Sequence, residues 1–575
     1  SESKIAKVTA NEVAAHIGAF AGGLQRMIKT NGGKAAAVIA LKGSTEFLVA
    51  YQACLEAGVV AVPVYVEETP ENIAAVIAHS KAQVLVTSTE LALKLGGLLA
   101  GTSLAHAVVL GELDGSDEAE AVRSAVTVAS FEELQQGDGL DKDVDIAPTD
   151  PAYVLYEKDE SSKLRGVIVS HANALGAVSG ILASLPADKA LTSKDSFMSV
   201  MPMAEPTNLS FLNTALLSGC PICVCETTDA ELFATQAYPF KPTFTYMNTT
   251  ITSDFFQLFY SHIEKYPKFE ANLFHRGYKS VVDTLMRGMR PKRNFTDFAY
   301  LRHYRNVIGG KLRLLYLSAD VPSKHIEWFR ALHGANVIPM FGTAQTAGVA
   351  TAGMFYDYAS AIENHNVGAP LACNEIKLID TSPFTVEDKP NPRGSVAIRG
   401  SNVSAALWNE DPVALNDGWL TLPVTAEILP NGTFDIIGPL STVTKSDAAS
   451  GLVLAQPLER TLLSTNVITD VCVFADSKSR KVSVVAHPRP MALYRVAHMK
   501  KKTYKMKQIQ DYPWCAEYVR AELLKVAASK GFTWVAELGD SFVVKLVSEP
   551  FSLKNQLAFA DGTVNRAAVK KLLGA

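Results

Sequence analysis

The residues best placed to do chemistry lie at positions 156–167, where Tyr156, Glu157, Lys158, Asp159 and Glu160 run into Ser161, Ser162, Lys163, Leu164, Arg165, Gly166 and Val167. The apolar run just before them, 152–156, reads as a strand. In an open α/β sheet, ligands sit beyond the carboxyl ends of such strands. A loop that holds phosphates at such a point brings backbone N–H groups close to the anion, and glycine is what permits the approach. Here carboxylates take that place. At an effective dielectric of ~20, a like-charge contact at ~4 Å costs about 4 kcal/mol, so the stretch argues against a bound polyanion.

Other candidate sites are weaker. Cys220 and Cys223 form a CxxC pair with Cys225 beyond it, but no second pair offers the remaining ligands of a zinc site, and a buried strand explains the run more simply. A basic region carries His275, Arg276, Lys279, Arg287, Arg290, Lys292, Arg293, Arg302, His303 and Arg305, with Phe295, Phe298, Tyr300 and Tyr304 interleaved. A second cluster, Lys500, Lys501, Lys502, Lys505 and Lys507, lies beside Tyr504 and Trp514. Each reads either as a solvated face or as a contact with an anionic lipid surface or a protein partner.

The elements that must position these groups alternate in type. Thr9 and Glu12 form a capping box ahead of Val13, Ile17, Phe20, Leu24 and Ile28 at helical spacing. Strands are expected at 36–41, 59–64, 83–87, 107–110 and 166–170, with a helix over 44–57 ending at Gly58 and another opening at Thr69 and Pro70. Ser170 and Asn173 cap a further helix. This alternation predicts a doubly wound, mostly parallel sheet. The acidic segment from Glu112 to Asp145 reads as a solvated excursion.

A chain of 575 residues with 48% apolar and 19% charged residues is a folded protein of one large unit and a smaller one. Its net charge of -4 excludes a dedicated nucleic-acid binder. The seven cysteines (Cys54, Cys220, Cys223, Cys225, Cys373, Cys472, Cys515) are sparse and odd in number, as expected of reduced core residues in an intracellular compartment. No run of 18 apolar residues is present to span a membrane.

Several segments then follow one family in order. They are Lys241-Pro-Thr-Phe244, Gly309-Gly-Lys-Leu-Arg313, residues 367–380, Pro392-Arg-Gly394 with Arg399 and Gly400, Asp417-Gly-Trp419, residues 432–437, and Pro550, Phe551 and Asn555 near the end. The chain resembles the adenylate-forming (AMP-binding) enzymes, and among them the eukaryotic long-chain acyl-CoA synthetases. The resemblance implies an α/β fold: a large N-terminal domain over 1–437, with doubly wound α/β subdomains and a β-rich one, and a small α+β C-terminal domain over 438–575.

It also implies a chemistry in which a carboxylate attacks ATP to give an acyl-adenylate, and the thiol of CoA then displaces AMP. The parts for that chemistry are altered. In the family's phosphate loop only Tyr156 and Gly166 keep their identities, Asp159 and Ser162 stand for its glycines, and Arg165 stands for its lysine. Phe341, Gly342, Thr343, Ala344 and Gln345 replace a motif that ends in a metal-binding glutamate. Val424 stands at the ribose-binding carboxylate, Gly438 and Pro439 stand at the hinge aspartate and arginine, and Thr563 at the position best aligned with the catalytic lysine. Glu205 stands for the histidine of the segment that gates the acyl pocket.

The resemblance with these losses predicts vestigial nucleotide positions and no catalytic residue, cofactor or metal. The expected protein is a catalytically inactive synthetase-like subunit of a larger assembly, with a mitochondrial membrane complex favoured by analogy. The alternatives are a module that binds an acyl chain or acyl-CoA, and a residual long-chain fatty acid-CoA ligase.

Overall fold

Short apolar strands that alternate with capped helices can bury both faces of a parallel sheet. The computed structural model describes residues 7–574 except 29–34, 142–143, 159–162, 226, 228, 264, 292–301 and 447–450. In it, β1 (Ala36–Ala40), β2 (Val60–Pro63), β3 (Val84–Ser88), β4 (His106–Leu110), β5 (Thr127–Ser130), β6 (Pro151–Lys158) and β7 (Leu164–Ser170) form a sheet of order β5-β4-β3-β1-β2-β6-β7. The pairings are parallel except for the β6–β7 hairpin. Both expected caps form, and the structure makes each a capping box: Thr9 starts the helix Ala10–Met27 and Ser170 the helix His171–Ala183.

The acidic stretch after Glu112 is not a bare excursion. It folds into the helix Asp117–Ala125, then β5 at the sheet edge, then the helix Phe131–Gln135. Ala119, Val122 and Phe131 give these charged segments a buried side, and Phe131 packs on Phe20 with ring centroids 4.7 Å apart.

A second sheet is built the same way from β8 (Phe197–Ser199), β9 (Ile222–Val224), β10 (Phe244–Met247), β11 (Leu314–Ser318), β12 (Asn336–Phe341), β13 (Thr351–Ala352) and β14 (Ala369–Pro370), in the order β14-β13-β12-β11-β10-β8-β9. The CxxC run falls here as expected. Cys223 lies in β9 and is buried, as is Cys220, and burial pushes both thiols up to about 11, which keeps them protonated and unreactive. An antiparallel sheet of β15 (Asn374–Ile379), β16 (Arg393–Gly400), β17 (Leu420–Ile428) and β18 (Phe434–Gly438) follows. Together these form the large N-terminal domain.

The smaller C-terminal domain holds the hairpin β19 (Val443–Ser446) and β20 (Gly451–Leu454), and a sheet of β21 (Ile468–Ala475), β22 (Val482–Pro488) and β23 (Phe542–Leu546). The helices Ala455–Leu462 and Pro513–Ser529 cover a core of its own around Leu458, Val473, Val484, Val519 and Leu523. No helix among the described residues is long and apolar enough to cross a membrane.

The small domain is fastened to β18 by matched charges. Arg460 donates to the Ile436 carbonyl at 2.6 Å and to Asp435 at 2.9 Å, and His365 reaches the same carboxylate at 3.1 Å. One residue earlier, Glu459 accepts from the Val473 N–H and from Arg566, both at 2.6 Å. Glu459 and Arg460 are almost fully buried, so each charge is satisfied within the protein.

Candidate functional site

The carboxyl ends of six strands converge on one cleft. Tyr156, Glu157 and Lys158 come from β6, Tyr65 from beyond β2, Glu205 from beyond β8, Tyr246 and Asn248 from β10, Asp320 from beyond β11, and Gly342 and Thr343 from beyond β12. The far wall is Phe559, Ala560, Asp561, Gly562 and Thr563 of the small domain. The enclosed space is about 580 Å³ and also meets Ile73, Val76, Leu164 and Met201. Two contacts bring the C-terminal loop up to the strand ends. Asn248 donates to the Asp561 carbonyl at 3.4 Å, and the Lys158 ammonium lies 5.9 Å from the Phe559 ring centre.

The cleft is acidic. Glu68, Glu157, Glu205, Asp320 and Asp561 line it, with Lys158 as its lysine. Glu68, Glu205, Asp320 and Asp561 form no ion pair among the described residues; neutral groups bond them instead. Glu68 accepts from the Asn72 amide at 2.6 Å, Asp320 from the Ser318 hydroxyl, and Asp561 from the Thr563 N–H at 2.8 Å and hydroxyl at 2.7 Å.

Glu205 caps the helix Pro206–Leu217 by accepting the Asn208 N–H. Burial pushes its carboxyl up to about 7, with Asp561 adding to the rise and the bonds from Asn208 and Thr207 opposing it. Burial also raises Asp561, and Asp320 and Glu68 add to that rise. Burial holds Tyr65 and Tyr246 well above the ordinary tyrosine value, so both of these lining residues keep their hydroxyl protons. Near neutral pH the cleft therefore offers hydrogen-bond donors and a carboxyl group that carries its proton part of the time.

The residues singled out from sequence are only partly gathered here. Tyr156, Gly342 and Thr563 line the cleft. Asp159 and Ser162 lie outside the described residues, as does Glu160. Glu157, expected in the loop, is in β6, directly across from Arg165 in β7. Tyr156 hydrogen-bonds to His79 at 3.0 Å, and a Cβ on Gly166 would lie 2.8 Å from Val154 and 3.0 Å from the Tyr156 ring. Gly166 thus leaves room for the Val154, Tyr156 and Trp408 side chains to close over it.

Gly342 is constrained by its neighbours as well, since a Cβ there would lie 2.0 Å from the Gly348 carbonyl oxygen. Phe341 and Gln345 are buried and sit behind the wall. Val424 packs on the apolar face shared by β15 to β18 and does not line the cleft. Pro439 opens the short turn Leu440–Thr442, where its carbonyl accepts from Thr442. The gating position Glu205 proves central. Lys158 lay in the stretch singled out from sequence, whereas Glu68, Asp320 and Asp561 did not stand out there, although Asp320 lies just past a strand end and Asp561 on the terminal loop.

Two parallel-sheet layers, an antiparallel layer and a small closing domain over a shared cleft define the class. The chain belongs to the AMP-binding enzyme family, whose sequence profile matches residues 3–408. It is 23% identical over 539 residues to the peroxisomal long chain acyl-CoA synthetase 7 of Arabidopsis thaliana, covering 91% of this chain and 75% of that one. With long chain acyl-CoA synthetase 1 of the same plant it shares 27% identity over 299 residues, 50% of this chain and 44% of the relative.

Among solved structures, it superposes on the A domain of carboxylic acid reductase from Segniliparus rugosus, determined with AMP and a carboxylic acid. The TM-score is 0.76 at 18% identity, over 99% of this chain and 86% of that one. A benzoate CoA ligase from Burkholderia xenovorans gives 0.67 at 17%, over 98% and 94%.

These findings correct the expectation that the chain is not an enzyme. Its family is one of enzymes, and its relatives are named as synthetases and ligases. The physical reason is that the altered motifs bear on how one ligand is held. They leave a formed cleft whose own ionisable groups, Glu205, Asp561 and Lys158, are brought together from distant parts of the chain.

The nucleotide that the family implies does not fit the described residues. A triphosphate would face Glu68, Glu205, Asp320 and Asp561 with Lys158 as the cleft's lysine, and the ribose position, Val424, is turned into an apolar layer.

Proposed function

We propose that this chain is an acyl-handling member of the AMP-binding enzyme family whose cleft receives the acyl end of its substrate in uncharged form, as a protonated acid, ester or thioester. One observation carries the reading: Glu68, Glu205, Asp320 and Asp561 have neutral hydrogen-bond partners in the cleft, and burial pushes the Glu205 carboxyl up to about 7. A bound carboxylate would add a further negative charge to that set, whereas a carbonyl can accept from Tyr65, Tyr246 or protonated Glu205. Ile73, Val76, Leu164 and Met201 supply apolar contact for the chain that follows. The acyl-CoA synthetase names of the relatives support the acyl class.

Titrating the protein at pH 8 with fatty acids from octanoate to palmitate, and with their methyl esters, tests this. The esters bind at least ten times more tightly than the acids of equal length, and Asp561→Asn narrows the gap. Equal or tighter binding of the acids contradicts it.

A second reading, ligation of the acyl group to CoA as the relatives' names describe, is favoured by the C-terminal loop that reaches the strand ends through Asn248 and Lys158. Pyrophosphate exchange that requires ATP, Mg2+ and an added fatty acid would support it, and none across the same chain lengths would count against it.

A further inference from the structure

We propose that the outer face of the helix Pro490–Met499 and the lysine segment that follows it dock on an anionic lipid surface. The helix is amphipathic in an unusual sense. Leu493, Val496 and Ala497 are buried against the small domain, but the outward side is largely apolar too: Met491 is 44% exposed, Tyr494 61% and Met499 73%, with His498 stacked on Tyr494. A solvated helix would carry charge at such positions.

Beyond the helix the chain turns back along it. The Lys502 N–H bonds to the Ala497 carbonyl at 2.8 Å, and the Tyr504 hydroxyl reaches the Pro490 carbonyl at 2.9 Å. This fold-back returns the lysine segment to the helix that carries the exposed Met and Tyr side chains. Lys500, Lys501, Lys505 and Lys507 are exposed and form no ion pair among the described residues, and Lys502 sits 5.4 Å from the Trp514 ring centre.

Charge and residue type select the partner. Residues 477–510 hold ten lysines and arginines and no aspartate or glutamate, in a chain of net charge -4. The cations that project from the turn are lysines, strongly hydrated point charges on long apolar stems. They suit a diffuse layer of lipid phosphates better than the paired, planar recognition of carboxylates for which arginine is preferred. Apolar side chains flanked by lysines are the composition of a segment that lies in a bilayer interface.

Vesicle flotation with the full chain tests this, comparing phosphatidylcholine alone with phosphatidylcholine containing 30% phosphatidylserine (probe compositions of roughly this kind make a strongly anionic surface). The protein floats with the anionic vesicles and not with the neutral ones, and binding falls steeply between low and high salt. At about 1 kcal/mol per lysine, each of Lys500→Ala and Lys501→Ala lowers the partition coefficient about fivefold. Tyr494→Ser with Met499→Ser lowers it independently of salt. Lys94→Glu with Lys194→Glu, elsewhere on the surface, leaves it unchanged and serves as the control for net charge. All these side chains are exposed, so unchanged melting curves verify that the variants fold. Equal flotation with neutral vesicles, equal loss in the control variant, or retention by an acidic protein without any vesicle binding would overturn the proposal.

Discussion

The cleft and the seam that holds the small domain treat the same kinds of residue in opposite ways. At the seam, Asp435 meets Arg460 and His365, and just behind it, within the small domain, Glu459 meets Arg566 and a backbone N–H. In the cleft, Glu68, Glu205, Asp320 and Asp561 are bonded only by amides and hydroxyls, and Glu205 responds by holding its proton up to about 7. Buried charge that is matched inside the protein is structural. Carboxylates gathered in one cleft without a counter-ion repel one another, and a cavity that keeps them is a candidate functional site. The comparison separates what holds the two domains together from what awaits a ligand.

Breaking the seam is among the largest effects. Arg460→Ala leaves the half-buried Asp435 with His365 alone and costs about 2 kcal/mol, read as a lower denaturation midpoint and faster proteolysis between the domains. If Arg460→Ala is as stable as the parent, the seam is not what fastens the small domain. Gly166→Ala, at the edge of the cleft, forces a methyl group against Val154, Tyr156 and Trp408 and costs about 2 kcal/mol. Its loss is steric and therefore the same at pH 5 and pH 8.

Glu205→Gln acts with the opposite sign. The folded protein keeps this proton up to about 7, whereas the unfolded chain loses it near 4.5. Stability from this group therefore falls as pH rises between those values, and the folded form carries the penalty above them. The glutamine removes the penalty, so the variant gains on the order of 1 kcal/mol at pH 8 and nothing at pH 4. A uniform loss at both pH values would place Glu205 with the matched charges. The smallest effect is that of Lys158→Ala, about 0.5 kcal/mol from its contact with Phe559, seen as looser protection of residues 559–563 in hydrogen exchange.

The contrast also explains what the sequence made legible. The helix starts at Thr9, Ser44, Thr69 and Ser170 could be read because capping is local chemistry, and the inner strands because burial on both faces leaves an unbroken apolar run. The edge strand β5 escaped notice because Thr127, Val128, Ala129 and Ser130 alternate too weakly to stand out among acidic neighbours.

Tyr156, Gly342 and Thr563 could be placed in the cleft by resemblance. Glu68, Asp320 and Asp561 could not, because the family's pattern assigns them nothing and only the sheet topology brings them together. Counting altered motifs led to the expectation of an inactive protein. The count recorded which residues were missing and could not register the ionisable set that had gathered in the same space.

The pH dependence of binding by a short, soluble acid tests the central claim most directly. Octanoate stays ionised at pH 6 and pH 8, its carboxyl titrating near ~4–5, so any change between those values reports the protein. Calorimetric titration should show binding at least five times tighter at pH 6, where Glu205 is mostly protonated. Methyl octanoate should bind equally at both, and Glu205→Gln should abolish the difference. Octanoate binding that is unchanged by pH, or tighter at pH 8, would contradict an acidic cleft that takes its acyl ligand uncharged.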